Sequence, residues 1–198
     1  MSKITVGLTG GIASGKSLVF REWLKLGAIG VDCDLISREV VLPGTNGLKK
    51  VVRAFGERVL NPDRTLNRGI LGKIIFSDKR MRAALESALH PIIIAEITKR
   101  IKESGPGLVV VDIPLLHEAN LERLVDKVVL VWANQKVRIA RLKKRNQLNL
   151  KEARQRIAAQ WPLSRKKKMA HYIINNSGSA ASTLKQARAL FRQLKNNA

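Results

Sequence analysis

The fold is decided by Gly10-Gly11-Ile12-Ala13-Ser14-Gly15-Lys16-Ser17, whose spacing G-x-x-x-x-G-K-[ST] is that of a phosphate-binding loop. The apolar run 4–9 before the loop predicts a short buried strand, and apolar residues recur after it, from Leu18 to Leu26, at helical spacing. A glycine-rich turn that opens a helix directs backbone N–H groups at an anion. We therefore expect a nucleoside triphosphate site here, rather than a turn that only connects two elements.

Within this loop, Lys16 is placed to reach the β- and γ-phosphates of the nucleotide. The hydroxyl of Ser17 is placed to ligate Mg²⁺.

Length and composition limit the class of protein. A chain of 198 residues can bury one substantial core, and no apolar run approaches the roughly 20 residues that span a bilayer. The single cysteine, Cys33, excludes an internal disulfide and a multi-cysteine metal site, and we expect a reducing cytoplasm. The short apolar run at the N-terminus leads directly into the loop, which does not fit a signal peptide.

Five apolar runs predict strands, at 4–9, 28–32, 108–112, 128–132 and 172–174, with helical patterns between them. This alternation predicts an α/β fold with a doubly wound parallel sheet. We expect a single domain over 1–198, with a core at about 1–34, 105–135 and 170–198. A helical insertion is expected at about 35–104 and a helical lid at about 136–169. Pro91 should break or kink the insertion's long helix just after His90.

Carboxylates follow two of the predicted strands, where ligands bind in open parallel sheets. If the chain stays extended through Asp32-Cys33-Asp34, both aspartates point to one side, and either could accept a proton from an attacking hydroxyl. One of them could instead cap the following helix. Asp112 has the position of an acid that holds Mg²⁺, or it is a strand-end acid satisfied by local backbone, and Glu118 is a weaker candidate.

Positive charge is concentrated in the predicted lid. The net charge is +22, and residues 136–168 hold 13 basic side chains and one acid, Glu152. Arg138, Arg141 and Arg145 share one helix face, from which arginine can neutralise phosphate charge, although a solvated basic face is the alternative. We interpret the run Arg165–Lys168 as solvated.

These features resemble the dephospho-CoA kinase family along nearly the whole chain. The resemblance is carried by an ordered series of motifs: Leu8–Ser17, Asp32-Cys33-Asp34, Arg38–Val41, Pro43-Gly44, Leu66-Asn67-Arg68, Leu89-His90-Pro91, Asp112–Leu116, Arg141-Leu142, Arg156–Gln160 and Asn175 within Ile173–Gly178. A phosphate loop alone is common to many families, but this series is specific.

The resemblance implies a P-loop kinase fold with a helical CoA-binding insertion, and transfer of the ATP γ-phosphate to the ribose 3′-hydroxyl of dephospho-CoA, the last step of coenzyme A synthesis. It implies that Asp34 is the base, with Lys16 and Arg141 acting on the transferring phosphoryl group. The implied ATP-binding residues are Gly11, Ile12, Ala13, Ser14, Gly15, Lys16, Ser17, Leu18, Arg145 and Asn175. The implied acceptor-binding residues are Asp32, Arg38, Asn67, Arg68, His90, Pro91 and Leu115. Mg²⁺ would be held by Ser17 and Asp112.

Several positions depart from the commonest family pattern. Ala13 stands where glycine is usual, Leu18 where threonine is frequent, Cys33 where alanine is usual, His171 where aspartate is usual and Asn146 where aspartate is frequent. None of them removes Lys16, Ser17, Asp34 or Arg141, so we expect an active enzyme.

Two other functions stay open on the sequence alone. One is a P-loop kinase for a different small acceptor, such as a nucleoside or nucleotide. The other is a basic nucleic-acid-binding protein, which the charge suggests but the low aromatic content of 4% does not favour. We expect no specific nucleic-acid partner and no membrane partner, and a monomer, with an oligomer as the alternative.

Overall fold

The computed structural model describes residues 2–196, and within them it contains a five-stranded parallel sheet. The strands are β1 (Lys3–Gly10), β2 (Ile29–Asp32), β3 (Gly107–Asp112), β4 (Lys127–Trp132) and β5 (Tyr172–Asn175). Their order is β2-β3-β1-β4-β5, and every neighbouring pair is parallel. The phosphate loop thus follows the central strand, where an open sheet of this kind binds ligands. The predicted α/β fold class is confirmed.

Two helices pack against the central strands in one buried cluster. Helix α1 (Lys16–Lys25) begins inside the phosphate loop, and α9 (Ala180–Asn196) is the last helix of the described residues. The apolar faces of these helices join the central strands in one buried cluster, in which Trp23 is fully buried and donates its Nε1–H to the carbonyl of Ala187 at 2.9 Å. This packing fixes the helix whose N-terminus faces the nucleotide phosphates.

The predicted lid forms helices α6 (Gln135–Asn146), α7 (Leu150–Ala158) and α8 (Leu163–Met169). Asn134 caps α6, because its side chain accepts the N–H of Val137 at 2.9 Å. Asn149 and Glu152 form a capping box at the start of α7. Such caps satisfy backbone donors that a helix leaves without partners, so both helix starts are fixed locally.

Within the described residues, 2–32 and 103–196 form one compact unit, and Cys33–Lys102 form a second, helical one. The second unit contains α2 (Cys33–Glu39), α3 (Asn46–Phe55), α4 (Arg68–Ser77) and most of α5 (Lys79–Glu103). Its described residues form no β-strand beyond an isolated bridge between Leu60 and Leu66.

The structure differs from the sequence expectations for this region at two points: Pro91 does not break its helix, and the condition of an extended chain through Asp34 is not met. Helix α5 continues through Pro91 without a break, since a proline removes one hydrogen bond and 24 other residues maintain the helix on both sides. The chain is also not extended through Asp34, because β2 ends at Asp32 and α2 begins at Cys33. The alternation that would turn Asp32 and Asp34 to one side therefore does not apply.

Candidate active site

The phosphate loop is held in a conformation that has two left-handed residues. Gly15 has φ +90° and Ala13 has φ +60°. A Cβ at Gly15 would collide with the side-chain amide of Asn176, so glycine is required there by space as well as by conformation. The Oγ of Ser14 is buried in this loop without a hydrogen-bond partner in the structure.

Lys16 and Asp112 form an ion pair at the base of the loop. Both side chains are largely buried, with exposed fractions of 13% and 10%. Asp112 ends β3, where it is in register with Leu8 of β1 and with Asp32 of β2. The sequence alternative in which only local backbone satisfies Asp112 is therefore wrong. The parallel register brings two carboxylate residues and the loop lysine to the same edge of the sheet.

Two side chains from the helical segment 135–169 hold the peptide groups of Ile12. Gln160 Oε1 accepts the N–H of Ile12 at 2.7 Å, and Arg138 Nε donates to its carbonyl at 2.9 Å. Burial lowers the pKa of the Arg138 guanidinium from its ordinary value, but an arginine side chain still carries its charge at neutral pH. Arg138 packs so closely that a Cβ at Gly11 would lie 2.6 Å from its Nη2. The start of α6 and the segment after α7 thus both fasten the loop.

Arg141 and Asn176 fasten the next two residues of the loop. Arg141 Nη1 lies 3.4 Å from the carbonyl oxygens of Ala13 and Ser14, and Nη2 donates to the carbonyl of Asn176 at 2.9 Å. Asn176 is buried, donates Nδ2–H to the carbonyl of Ser14 at 2.7 Å and accepts the hydroxyl of Thr183 at 2.8 Å. The structure therefore brings Arg141 onto loop carbonyls.

The remaining predicted residues of the sheet-containing unit are more exposed. Ser17 and Arg145 are exposed, and Arg145 donates to the side chain of Asn146 at 3.0 Å. Leu115 is exposed in the turn after β3. Asn175 is exposed and accepts the N–H of Ser177 at 2.9 Å, so its side chain shapes the turn after β5.

One sequence interpretation of the charged residues in this unit is wrong. Lys166 is not part of a solvated run, because it is completely buried with its Nζ 2.8 Å from Glu118 Oε1. This contact also accounts for Glu118, which the sequence offered as a weak metal candidate. Lys167 and Lys168 are exposed, as predicted, and Arg165 is exposed with its guanidinium 3.4 Å from the centre of the Trp161 ring.

The helical unit carries the predicted acceptor residues in two kinds of setting. Asp34, Arg38, Arg68, His90 and Pro91 are exposed, and Asp34 lies in the first turn of α2. By contrast, both ends of the Asn67 amide are used inside the unit. Its Oδ1 caps α4 by accepting the N–H of Ile70 at 2.9 Å, and its Nδ2 donates to Asn61 at 2.7 Å.

Sequence reasoning did not predict that the side chains of Arg138, Gln160 and Asn176 hold the backbone of the phosphate loop. Gln160 belongs to a motif that carries the family resemblance, and Arg138 shares a helix face with Arg141, so both had a signal. The only sequence signal for Asn176 was its position next to Asn175, because residue spacing does not distinguish a buried amide from an exposed one.

A sequence profile of the dephospho-CoA kinase family matches residues 4–182. The chain belongs to this family. It is 45% identical to the dephospho-CoA kinase of Listeria monocytogenes over 185 residues, which are 92% of each chain. It is 42% identical to that of Carboxydothermus hydrogenoformans over 193 residues, 96% of this chain and 94% of the relative. The resemblance found in the sequence motifs is confirmed.

Solved structures agree with this dephospho-CoA kinase assignment. Dephospho-CoA kinase from Campylobacter jejuni superimposes with a TM-score of 0.69 at 27% identity, covering 98% of both chains. Shikimate kinase from Acinetobacter baumannii superimposes with a TM-score of 0.56 at 17% identity, covering 98% of this chain and 94% of the other, which shows a shared fold. The chain is therefore a P-loop kinase, and ATP is its phosphate donor. Within residues 2–196, every helix is too short or too polar to cross a bilayer.

Proposed function

We propose that this protein transfers the γ-phosphate of ATP to the ribose 3′-hydroxyl of dephospho-CoA, giving coenzyme A and ADP, the last step of coenzyme A synthesis. The observation that carries the proposal is an intact phosphate loop, with Lys16 paired to Asp112, in a chain that matches the family profile over residues 4–182. Another small-molecule acceptor is less well supported, because the match extends far beyond the loop.

In the proposed reaction, the 3′-hydroxyl oxygen attacks the γ-phosphorus and the bond from that phosphorus to the β–γ bridging oxygen breaks. Asp34 accepts the hydroxyl proton, and ADP leaves. Lys16 and the N–H groups at the start of α1 bind the β- and γ-phosphates, where they stabilise charge that builds up in the transition state. The Lys16 ammonium has three N–H donors, so it can bind a phosphate oxygen in addition to Asp112.

Ser17 and Asp112 are the residues we propose for Mg²⁺. A hydroxyl and a carboxylate are hard oxygen donors, and Mg²⁺ sites commonly use one or two carboxylates with substrate phosphates rather than a full protein cage. When bound, Mg²⁺ supplies additional neutralisation of phosphate charge.

The two lid arginines are proposed to act in different ways. Arg145 is exposed on α6 and is available to meet phosphate oxygens. Arg141 has a guanidinium held by loop carbonyls and Asn176, so reaching the phosphoryl group requires exchange of these contacts. We propose that Arg141 does so when the lid closes. Around the loop, ATP contacts Gly11, Ile12, Ala13, Ser14, Gly15, Lys16, Ser17 and Leu18, and its adenine approaches Asn175.

The acceptor is proposed to bind through the helical insertion of about 35–104, which is one part of a single domain that also has the core and the lid of about 136–169. Exposed side chains support this for Arg38, Arg68 and His90. Pro91, Leu115 and Asp32 are the other proposed acceptor contacts. Asn67 is proposed to act through the shape of the start of α4, because its amide is already hydrogen-bonded on both ends.

We further propose a cytoplasmic monomer with no specific nucleic-acid partner and no membrane partner. Polyanionic substrates account for positive charge on the lid, although they do not account for the whole net charge of +22.

An acceptor comparison tests the proposed function. The release of ADP is measured with dephospho-CoA, AMP, adenosine and shikimate, with Lys16→Ala as a control for contaminating kinases. We expect turnover with dephospho-CoA alone, and loss of orders of magnitude in Lys16→Ala with the fold intact. A higher kcat/KM for any other acceptor would overturn the proposed substrate, and near-normal turnover of Lys16→Ala would overturn the phosphate-loop assignment.

A further inference from the structure

The proposed chemistry does not explain a buried lysine in α8. Lys166 has no exposed side-chain surface, its Nζ is paired with Glu118 Oε1 at 2.8 Å, and it donates to the carbonyl of Pro114 at 3.2 Å. Its neighbours Lys167 and Lys168 are exposed. A buried ion pair is weak evidence for stability, since its desolvation offsets its attraction. The position of this pair is therefore the informative feature.

Glu118 connects the pair to the segment between α7 and α8. The same oxygen, Oε1, accepts the N–H of Trp161 at 3.1 Å. The ring of Trp161 is covered by the Arg165 guanidinium, 3.4 Å from its centre, which adds a cation–π contact to the same segment. The second Glu118 oxygen is buried without a partner in the structure. The backbone at Trp161 is thus fixed by a charged acceptor.

The residue before Trp161 is Gln160, whose Oε1 accepts the N–H of Ile12 at 2.7 Å. Arg138 Nε donates to the carbonyl of the same residue at 2.9 Å, so both the N–H and the carbonyl of Ile12 are hydrogen-bonded to side chains. Ile12 precedes Ala13, a non-glycine residue in the left-handed region, where the loop turns towards its phosphate-binding N–H groups. A contact that fixes Ile12 therefore fixes the direction of the residues after it.

We propose that Glu118 and Lys166 are positioning residues for phosphoryl transfer, which act through Trp161 and Gln160 to hold the phosphate loop at Ile12. They contact no substrate themselves. The segment 160–166 is consequently the anchored end of the lid. This role rests on ATP binding at the loop, which is part of the proposed function.

The test replaces the ion pair by apolar side chains of similar size, in the double variant Glu118→Leu/Lys166→Met. A purely structural pair predicts little change in activity once the variant folds, because apolar replacement of buried pairs is often neutral or stabilising. The positioning role predicts a rise in the KM for ATP of about tenfold, the size of one lost hydrogen bond to a charged group, with the KM for dephospho-CoA unchanged. Lys167→Met, exposed on the same helix, is the matched control and should match wild type.

Two further variants test the contact of residue 118 with Trp161 and the contact of Gln160 with Ile12 separately. Glu118→Gln/Lys166→Met keeps an acceptor for the N–H of Trp161 and leaves no unpaired buried charge, so it should retain a KM for ATP close to wild type. Gln160→Met removes the contact to Ile12 directly, and it should raise the KM for ATP as Glu118→Leu/Lys166→Met does. Adding Glu118→Leu/Lys166→Met to Gln160→Met should raise it no further, because both changes break the same connection. Additive effects would overturn the proposed route through Gln160.

Amide hydrogen exchange provides a readout that does not depend on activity. The Ile12 N–H should lose protection in Gln160→Met and in Glu118→Leu/Lys166→Met and keep it in Glu118→Gln/Lys166→Met, while the N–H groups of Val110 and Val111 in β3 stay protected in all three. Unchanged protection of Ile12 in folded Glu118→Leu/Lys166→Met would overturn the proposal. Should that variant not fold, Ile12 protection below wild type in Glu118→Gln/Lys166→Met would overturn the rescue on which the proposal depends. A chain that does not phosphorylate dephospho-CoA at all would contradict the proposed function and leave this exchange test intact.

Discussion

Replacing Asn176 by alanine should loosen the phosphate loop and destabilise the fold together. The side chain of Asn176 donates to the carbonyl of Ser14 at 2.7 Å and accepts from Thr183 at 2.8 Å and Arg141 at 3.3 Å. Thr183 keeps a second bond, to the carbonyl of Ser179 at 3.1 Å, and Arg141 keeps the backbone carbonyl of residue 176 at 2.9 Å. Among the described residues, the carbonyl of Ser14 keeps only the 3.4 Å contact with Arg141.

The Ser14 carbonyl therefore dominates the cost of Asn176→Ala. A buried polar group left without its partner costs about 1–3 kcal/mol, and the weaker losses at the other two partners bring the expected loss in free energy of unfolding to about 2–3 kcal/mol. For a chain of this length, each kcal/mol corresponds to a fall of about 2–4 °C in Tm. If about 1.4 kcal/mol of this loss is also lost from the free energy of ATP binding, because the loop is less ordered, the KM for ATP should rise about tenfold.

Asn175→Ala is the matched control, because Asn175 is the exposed neighbour whose side chain accepts one N–H, that of Ser177. It should cost about 0.5–1.5 kcal/mol, since a single hydrogen bond is lost. Urea unfolding and ATP saturation curves measure both variants. If Asn175→Ala were as destabilised as Asn176→Ala, or if Asn176→Ala bound ATP like wild type, the loop would not depend on the buried amide.

Three further predictions concern the carboxylates, the metal site and a pH effect. Asp34→Asn should lower kcat by about 10²–10⁴-fold, the usual contribution of a positioned base, and Asp32→Asn should lower it less. An equal or larger loss in Asp32→Asn would contradict the assignment of Asp34 as the base. Ser17→Ala should lose activity in a way that shrinks as Mg²⁺ is raised, and a defect independent of Mg²⁺ would remove Ser17 from the metal site. The pKa of Asp63 is lowered, first by a hydrogen bond from the side chain of Thr65 and second by one from its backbone N–H. The ionised carboxylate therefore stabilises the folded state at pH values above its unfolded pKa. This stabilisation is lost as the pH falls through the folded pKa. Thr65→Val should raise the pKa of Asp63 in an NMR titration, and an unchanged value would mean that the backbone N–H alone holds it down.

The sequence predicted the sheet and the loop because both depend on local patterns. Continuous apolar runs identified all five strands to within one residue at each end, as in the predicted 108–112 against the observed Gly107–Asp112. The spacing of the phosphate loop is itself the local geometry, so Gly15 and Lys16 could be assigned without knowledge of the rest of the chain.

The wrong predictions concern properties that depend on distant residues or on competition between local effects. Lys166 was interpreted as solvated because its neighbours are charged, but its burial is decided by Glu118, a partner far away in sequence. The sequence predicts that Pro91 breaks or kinks α5, and the break does not occur because one missing hydrogen bond is a small loss in a 25-residue helix. The acceptor role of Asn67 stays a prediction, and in the structure its amide oxygen caps the start of α4.

The central claim is that a phosphoryl group is transferred to the ribose 3′-hydroxyl of dephospho-CoA, and the position of the phosphate in the product tests it most directly. The protein is incubated with ATP, Mg²⁺ and dephospho-CoA, and the purified product is examined by ³¹P–¹H correlation NMR. The account predicts one new phosphomonoester coupled to the ribose 3′ proton, and its absence in a parallel reaction with Lys16→Ala. A phosphate at the 2′ position or on the pantetheine arm, or ADP formed without a phosphorylated acceptor, would contradict it.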